Sequence, residues 1–190
     1  DAASLARLAF LPSAEVHAAD PAPILRLAWS GDGAMLCAAA ESGLVAVLEV
    51  RDGALRTVCR HGEHKGKAVR AMVWERGGDS RRVFTGDDGG CVVECKPAAL
   101  FRPASPILSN EAPIVQLAVP PPGPAPASLL LVSTAARVLL FNLSLLTFRS
   151  IGSKPRKTPC GAAFASPDLV WAARPGRRVW LGDPVSGKVT

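Results

Sequence analysis

Short runs of apolar residues alternate with polar turns along most of this 190-residue chain. One six-residue pattern occurs four times, with apolar side chains at its first, fourth and sixth positions in most copies. Successive copies begin 45 residues apart, at Ile24–Trp29, Val69–Trp74, Ile114–Val119 and Pro159–Phe164. Such short alternation is typical of half-buried β-strands, and no long segment follows the 3.6-residue period of a helix. The pattern predicts an all-β chain with four repeats.

Two further apolar runs follow each copy, separated by turns rich in Gly and Asp that suit β-hairpins. The second runs are Met35–Ala40, Arg82–Thr85, Leu129–Ser133 and Leu169–Ala173. The third runs are Leu44–Val50, Cys91–Lys96, Val138–Leu143 and Arg178–Leu181. A period of 45 residues is that of a β-propeller blade, and a ring needs about 4–8 blades. We therefore expect residues 1–190 to form about four blades of a larger propeller ring, with the first and last blades incomplete.

The sixth residue of each copy provides a test of the repeat. If the four copies are equivalent strands, their side chains at this position should be buried between neighbouring blades; they are Trp29, Trp74, Val119 and Phe164. Between the first two strands of the third blade, the proline-rich segment 120–126 is predicted to be an extended surface insertion.

Apolar residues make up 48% of the chain, which excludes disorder caused by low hydrophobicity. The net charge of +6 is concentrated at one end, because residues 149–190 carry eight basic and two acidic residues. Such an end can contact an acidic protein, an anionic membrane or phosphate, or it can be a plain solvated surface. The candidate interaction surface comprises Lys154, Arg156, Lys157, Arg177 and Arg178.

Side chains capable of chemistry are few and have structural interpretations. Asp87 and Asp88 lie among glycines and are predicted to be hairpin residues. The odd number of cysteines, at positions 37, 59, 91, 95 and 160, indicates buried reduced thiols rather than a disulfide framework. The segment Phe148–Ile151 is interpreted as core or edge-strand packing, with strand addition to a partner as the alternative. We predict no catalytic, metal-binding or cofactor-binding residues and no small-molecule substrate.

Several segments resemble known sequences. The segment from His64 to Gly89 resembles a divergent WD-repeat blade without the Trp-Asp ending. This resemblance places His64 at the blade entry and implies that it hydrogen-bonds a neighbouring turn. A narrower set of segments is similar to the N-terminal WD-repeat regions of the tectonin β-propeller repeat-containing proteins and the related Hermansky–Pudlak syndrome 5 protein. These segments are Pro113–Leu117, Leu130–Thr134, Ile151–Lys157, Cys160–Phe164 and Ala173–Trp180.

The resemblance implies a non-catalytic scaffold of the cytoplasm, peripheral on endoplasmic-reticulum or autophagic membranes. Its implied roles are autophagosome formation and secretory export at endoplasmic-reticulum exit sites, with autophagy and coat proteins as partners. The alternative that it implies is a subunit of a complex for the biogenesis of lysosome-related organelles. A basic nucleic-acid-binding propeller is a third interpretation, for which steep salt dependence would be required, and no nucleic acid is expected as a partner.

Overall fold

The computed structural model describes residues 22–75, 81–99, 103–121, 129–151, 161–166, 169–174 and 178–182; in the last two segments only Val170 has a described side chain. These residues form fifteen β-strands in four antiparallel sheets and contain no helix, so no described helix could cross a membrane. The predicted all-β propeller-blade architecture is confirmed.

Each sheet is a meander in which consecutive strands are neighbours. The first sheet contains β1 (Ile24–Trp29), β2 (Met35–Ala40), β3 (Val45–Arg51) and β4 (Ala54–His61). The second contains β5 (Val69–Trp74), β6 (Val83–Asp87), β7 (Val92–Cys95) and β8 (Ala104–Leu108). The third contains β9 (Ile114–Ala118), β10 (Leu129–Thr134), β11 (Val138–Asn142) and β12 (Thr147–Ile151). The fourth contains β13 (Gly161–Ser166), β14 (Leu169–Arg174) and β15 (Arg178–Gly182).

The first strands of the sheets follow the predicted repeat. β1, β5 and β9 begin at Ile24, Val69 and Ile114, as the pattern predicts, and the described part of the fourth first strand begins at Gly161. Successive first strands contact one another, β1 with β5, β5 with β9 and β9 with β13. The sheets therefore stack side by side through their first strands, as blades do. The expectation of an incomplete first blade was wrong, because β4 gives the first sheet a fourth strand.

One backbone hydrogen bond recurs in the first three sheets and fixes each hairpin to the start of its sheet. The N–H after the second strand donates to the carbonyl just before the first strand. The pairs are Glu41 with Pro23 at 2.9 Å, Asp88 with Ala68 at 3.0 Å and Ala135 with Pro113 at 2.8 Å. The acceptors are spaced by 45 residues, so the sequence repeat is also a hydrogen-bond repeat.

The apolar core consists of layers between neighbouring sheets, because successive side chains of a strand point to opposite faces. On β6, Val83 packs in the layer shared with the first sheet, whereas Phe84 packs in the layer shared with the third. On β10, Leu130 packs toward the second sheet and Leu131 toward the fourth. Burial on both faces explains why β2 and β10 are almost continuously apolar.

The sixth-position residues do not all behave alike. Trp74 is 6% exposed and packs against the first sheet, where its Nε1–H donates to the carbonyl of Ala28 at 2.8 Å. Val119 and Phe164 are half-buried. Trp29 is 47% exposed, so the prediction of its burial was wrong. The physical reason is that Trp29 belongs to the first sheet, which has a described neighbour on one face only.

Two hairpin glycines allow neighbouring sheets to approach closely. Gly43 and Gly90 have φ of 84° and 77°, a conformation that glycine adopts without steric cost. Gly43 lies against the loop that precedes β5, next to His64, and Gly90 lies against Glu111 in the loop that precedes β9. We call the loop before the first strand of each sheet its leading loop. Each hairpin therefore rests on the leading loop of the next sheet.

Candidate functional site

A buried hydrogen-bond network in the second sheet is centred on His64. The imidazole lies 2.6 Å from Asp87 through Nδ1 and 2.8 Å from Thr85 through Nε2, and all three side chains are buried. Because an ionised carboxylate only accepts, Nδ1–H donates to Asp87 and Nε2 accepts from the Thr85 hydroxyl. The second oxygen of Asp87 accepts from the backbone N–H of Gly89 at 2.8 Å and of Cys91 at 2.9 Å. The predicted structural roles of His64 and Asp87 are confirmed.

The donor atoms of His64, Asp87 and Cys91 all lie within 4.8 Å of one another, a spacing that could suit a metal ion. Their chemistry does not fit one. Both ring nitrogens of His64 are occupied by hydrogen bonds, and burial together with the Asp87 charge raises the pKa of the Cys91 thiol to about 11. A metal would have to replace these bonds and deprotonate the thiol. The side chains of His64, Asp87 and Thr85 instead form a network that holds the leading loop on its hairpin.

His61, the last residue of β4, lies beside this network, with its ring centroid 6.1 Å from that of His64. Neither ring nitrogen of His61 has a hydrogen-bond partner among the described residues, although the residue is only 9% exposed. Burial lowers the pKa of His61 to about 4, and the neighbouring His64 adds to the effect. Burial also lowers the pKa of His64, against the opposing influence of Asp87.

The third sheet fixes its leading loop with an ion pair in place of the histidine network. Arg137, in the hairpin between β10 and β11, donates to Glu111 through Nη2 at 2.6 Å and through Nε at 3.2 Å. The acid is on the loop and the base on the hairpin, so the charges are placed oppositely to the Asp87–His64 pair. An ion pair in the third sheet and a histidine network in the second sheet therefore both attach a leading loop to the hairpin of the same sheet.

A second ion cluster lies at the opposite end of the second sheet. Arg82 donates to both carboxylate oxygens of Glu75 and, at 2.9 Å, to Glu94. Lys96 approaches the other oxygen of Glu94 at 3.1 Å, and the guanidinium stands 5.8 Å from the ring centroid of Phe84. These charges neutralise one another within the sheet.

The exposed large apolar side chains form two groups among the described residues, apart from Val115. One group lies on β1 and contains Ile24, Leu27 and Trp29. The other lies on the hairpin between β11 and β12 and contains Leu145, Leu146 and Phe148, of which the two leucines are each 69% exposed. We call the second group the apolar hairpin. β12 is an outer strand paired only with β11, so Phe148 lies on an edge strand. Its exposure of 47% shows that it is not packed in the core, and strand addition to a partner stays a prediction.

The basic surface predicted from the sequence is not described by the structure. Lys154, Arg156, Lys157 and Arg177 lie outside the described residues, and for Arg178 only the backbone, at the start of β15, is described. Most of segment 120–126 and Cys160 also lie outside them. The candidate surface therefore stays a prediction.

Two features were missed by sequence reasoning. The thiols of Cys59 and Cys95 lie 3.4 Å apart, although the residues are 36 positions apart. The apolar hairpin was also missed. Leu145-Leu146 in a turn position was an available signal, since exposed turns rarely carry two large apolar residues.

The stacked four-stranded meanders and the leading-loop networks define the class of this protein as a chain of β-propeller blades. Comparison with known proteins agrees with this class. The chain is 31% identical over 169 residues to the human BLOC-2 complex member HPS5 and 32% identical over 166 residues to the human Tectonin beta-propeller repeat-containing protein 2. No protein-family model matches the chain.

Each alignment covers 78% of this chain but only 14% and 11%, respectively, of the two relatives. The predicted resemblance is confirmed, and it concerns a small part of each relative. What those whole proteins do is therefore a matter for proposal.

Proposed function

We propose that this chain is a non-catalytic protein-interaction scaffold in membrane trafficking. The observation that carries the proposal is the apolar hairpin, where Leu145 and Leu146 in the turn and Phe148 on the outer strand β12 are exposed. Clusters of exposed apolar side chains on a folded surface mark contact sites for proteins. The similarity to a BLOC-2 complex member supports a role within an assembly.

In its finer form, the proposal follows the tectonin-type relative and assigns the scaffold to autophagosome formation and endoplasmic-reticulum exit sites, with a cytoplasmic location. The second candidate is a subunit of a complex for lysosome-related organelles. The similarity to the relative named as a BLOC-2 complex member supports this candidate, and the alignments to the two relatives cover the same share of the chain.

The apolar hairpin is tested in the full-length protein with the variant Leu145→Ser, Leu146→Asn, Phe148→Thr. Asn suits position 146 because the residue there has φ of 53°, and Thr retains the strand preference at 148. Val115→Thr, a change of another exposed apolar side chain, is the matched control. We expect the hairpin variant to keep the wild-type melting temperature and to lose partner binding, whereas the control keeps both.

The identity of the captured protein separates the two candidates. Affinity purification should recover autophagy and coat proteins under the first proposal and other subunits of a BLOC-2 type complex under the second. Capture that is equal for the hairpin variant and the wild type would contradict the role of the hairpin.

The basic end is a separate part of the proposal, with Lys154, Arg156, Lys157, Arg177 and Arg178 as an anionic contact surface. An exposed basic residue near an anionic membrane contributes about 1 kcal/mol, so Lys154→Glu with Arg156→Glu should weaken sedimentation with anionic vesicles markedly. Equal sedimentation of variant and wild type would show a solvated surface instead. Binding to nucleic acid with a steep salt dependence would favour the third interpretation.

A further inference from the structure

Two buried thiols meet across the interface between the first and second sheets. The sulfur of Cys59, on β4, lies 3.4 Å from the sulfur of Cys95, on β7, and both cysteines are free. They belong to the same apolar core layer. The pair therefore joins two blades at a point where no backbone hydrogen bond between the two sheets is described.

The strands around the pair can adjust. The pairing of β3 with β4 shifts between Val47, the partner of Cys59, and Leu48, so Cys59 is adjacent to a bulge. Cys95 is the last residue of β7. A disulfide bond is about 2.0 Å long, so the sulfurs must approach by about 1.4 Å from their present separation. A bulge and a strand end are the places where a sheet accommodates such a movement most easily.

The two thiols are unequal. The hydrogen bond from Cys95 lowers the pKa of Cys59, while the same bond and burial raise the pKa of Cys95. Cys59 is 6% exposed and Cys95 is fully buried. A small oxidant therefore reaches Cys59 first, and that sulfur is the better nucleophile because thiolates react and thiols do not.

We propose that Cys59 and Cys95 form a reversible redox modification site, in which a hydroperoxide such as hydrogen peroxide converts the two thiols into a disulfide that links the first two blades. The Cys59 thiolate attacks one peroxide oxygen, the O–O bond breaks, hydroxide leaves, and a sulfenic acid forms on Cys59. The Cys95 sulfur then attacks the Cys59 sulfur, its proton combines with the departing hydroxide, and water is released.

The overall reaction consumes two thiols and one peroxide and yields one disulfide and two waters. Sulfur is oxidised and peroxide is reduced. Two equivalents of a small thiol reductant return the pair to its starting state by thiol–disulfide exchange.

The test uses the full-length protein in its reduced form, treated with hydrogen peroxide, blocked with an alkylating agent and mapped by peptide mass spectrometry. We expect a cross-linked peptide pair containing Cys59 and Cys95, lighter by about 2 Da than the two free peptides and absent after reduction with dithiothreitol. Cys91 provides the control, because it is partly exposed but its thiol has a raised pKa. The variant Cys91→Ser should form the cross-link to the wild-type extent.

Cys59→Ser should abolish the cross-link and leave Cys95 open to alkylation only after unfolding. If that variant does not fold, the peptide map of the wild-type protein still shows whether the Cys59–Cys95 disulfide forms. A sulfinic acid on Cys59 with Cys95 unmodified, a disulfide that pairs Cys59 with Cys37 or Cys160, or two unchanged thiols would each overturn the proposal.

Discussion

A Cβ atom placed on Gly90 would lie 1.9 Å from the carbonyl oxygen of Glu111, so the hairpin of the second sheet touches the backbone of the next leading loop. The backbone N–H of Glu111 also donates to the carbonyl of Gly90 at 3.2 Å. Glu111 also pairs with Arg137 of the third sheet. The contact at Gly90 therefore connects the second blade to the ion pair of the third blade. This relationship makes the position intolerant of any side chain.

Gly90→Ala should lower the free energy of unfolding by about 3 kcal/mol or more, because the methyl group meets backbone rather than a movable side chain. Gly33→Ala is the matched control. Gly33 also has a positive φ of 69° but nothing lies within 4 Å of its Cβ position, so only backbone strain of about 1–2 kcal/mol should remain. Urea unfolding of both variants gives the difference. Equal losses would mean that the close approach of Glu111 is unimportant.

Asp87→Ala should lower the free energy of unfolding by about 3 kcal/mol or more, since it leaves a ring nitrogen of His64 and two backbone N–H groups without their partner. Asp87→Asn should cost only about 1 kcal/mol, because His64 can change tautomer, accept from the amide and donate to Thr85 instead. The change of His64 tautomer is observable in the imidazole nitrogen NMR signals.

Asp88→Ala is the control. It removes an exposed ion pair with Arg70 and should change the free energy of unfolding by less than about 0.5 kcal/mol. A loss for Asp88→Ala equal to that for Asp87→Ala would contradict this ranking.

The stability of the protein should fall as the pH decreases from about 6.5 toward 4, because the pKa of His61 is about 4 in the folded protein and 6.5 is its ordinary value. Below 6.5 the unfolded chain binds the proton more readily than the folded one, so acid favours unfolding. The loss attributable to His61 is on the order of 2–3 kcal/mol at the lower end. Melting temperatures measured between pH 7.5 and 4 would record it.

His61→Phe is the matched variant for this pH dependence. It removes two buried nitrogens that have no described partner, so its stability at pH 7.5 should be equal to or higher than that of the wild type. Its decline toward pH 4 should be smaller. The interpretation would be contradicted if His61→Phe were less stable than the wild type at pH 7.5 and its stability fell by the same amount toward pH 4. That result would show that the His61 imidazole has a stabilising partner.

Arg82→Lys should lower the free energy of unfolding by about 1–2 kcal/mol, although the charge is kept. A planar guanidinium bonds Glu75 with two N–H groups and Glu94 with a third, and an ammonium group cannot reproduce this geometry. Arg70→Lys, at the exposed pair with Asp88, should be nearly neutral. Chemical unfolding of the two variants tests whether geometry or charge alone determines the contribution of Arg82.

The sequence by itself determined the all-β class, the spacing of the blades and most strand positions. β2 occupies Met35–Ala40 as predicted, and the first strands at Ile24, Val69 and Ile114 start where the repeat places them. These features are local, because alternation of side chains and turn residues acts within a few positions along the chain. The role of His64 was predictable through the resemblance of its segment to a WD-repeat blade, and its partners Thr85 and Asp87 lie on β6 of the same sheet.

Only the tertiary structure decided which side chains meet across sheets. Trp29 and Trp74 hold the same place in the repeat, yet one is exposed and the other is buried, because burial depends on whether a neighbouring sheet covers that face. Glu111 and Arg137 replace a histidine network without any sequence likeness to it. Cys59 and Cys95 come together because the stacking of two sheets, which a pattern along one strand does not encode, sets their distance.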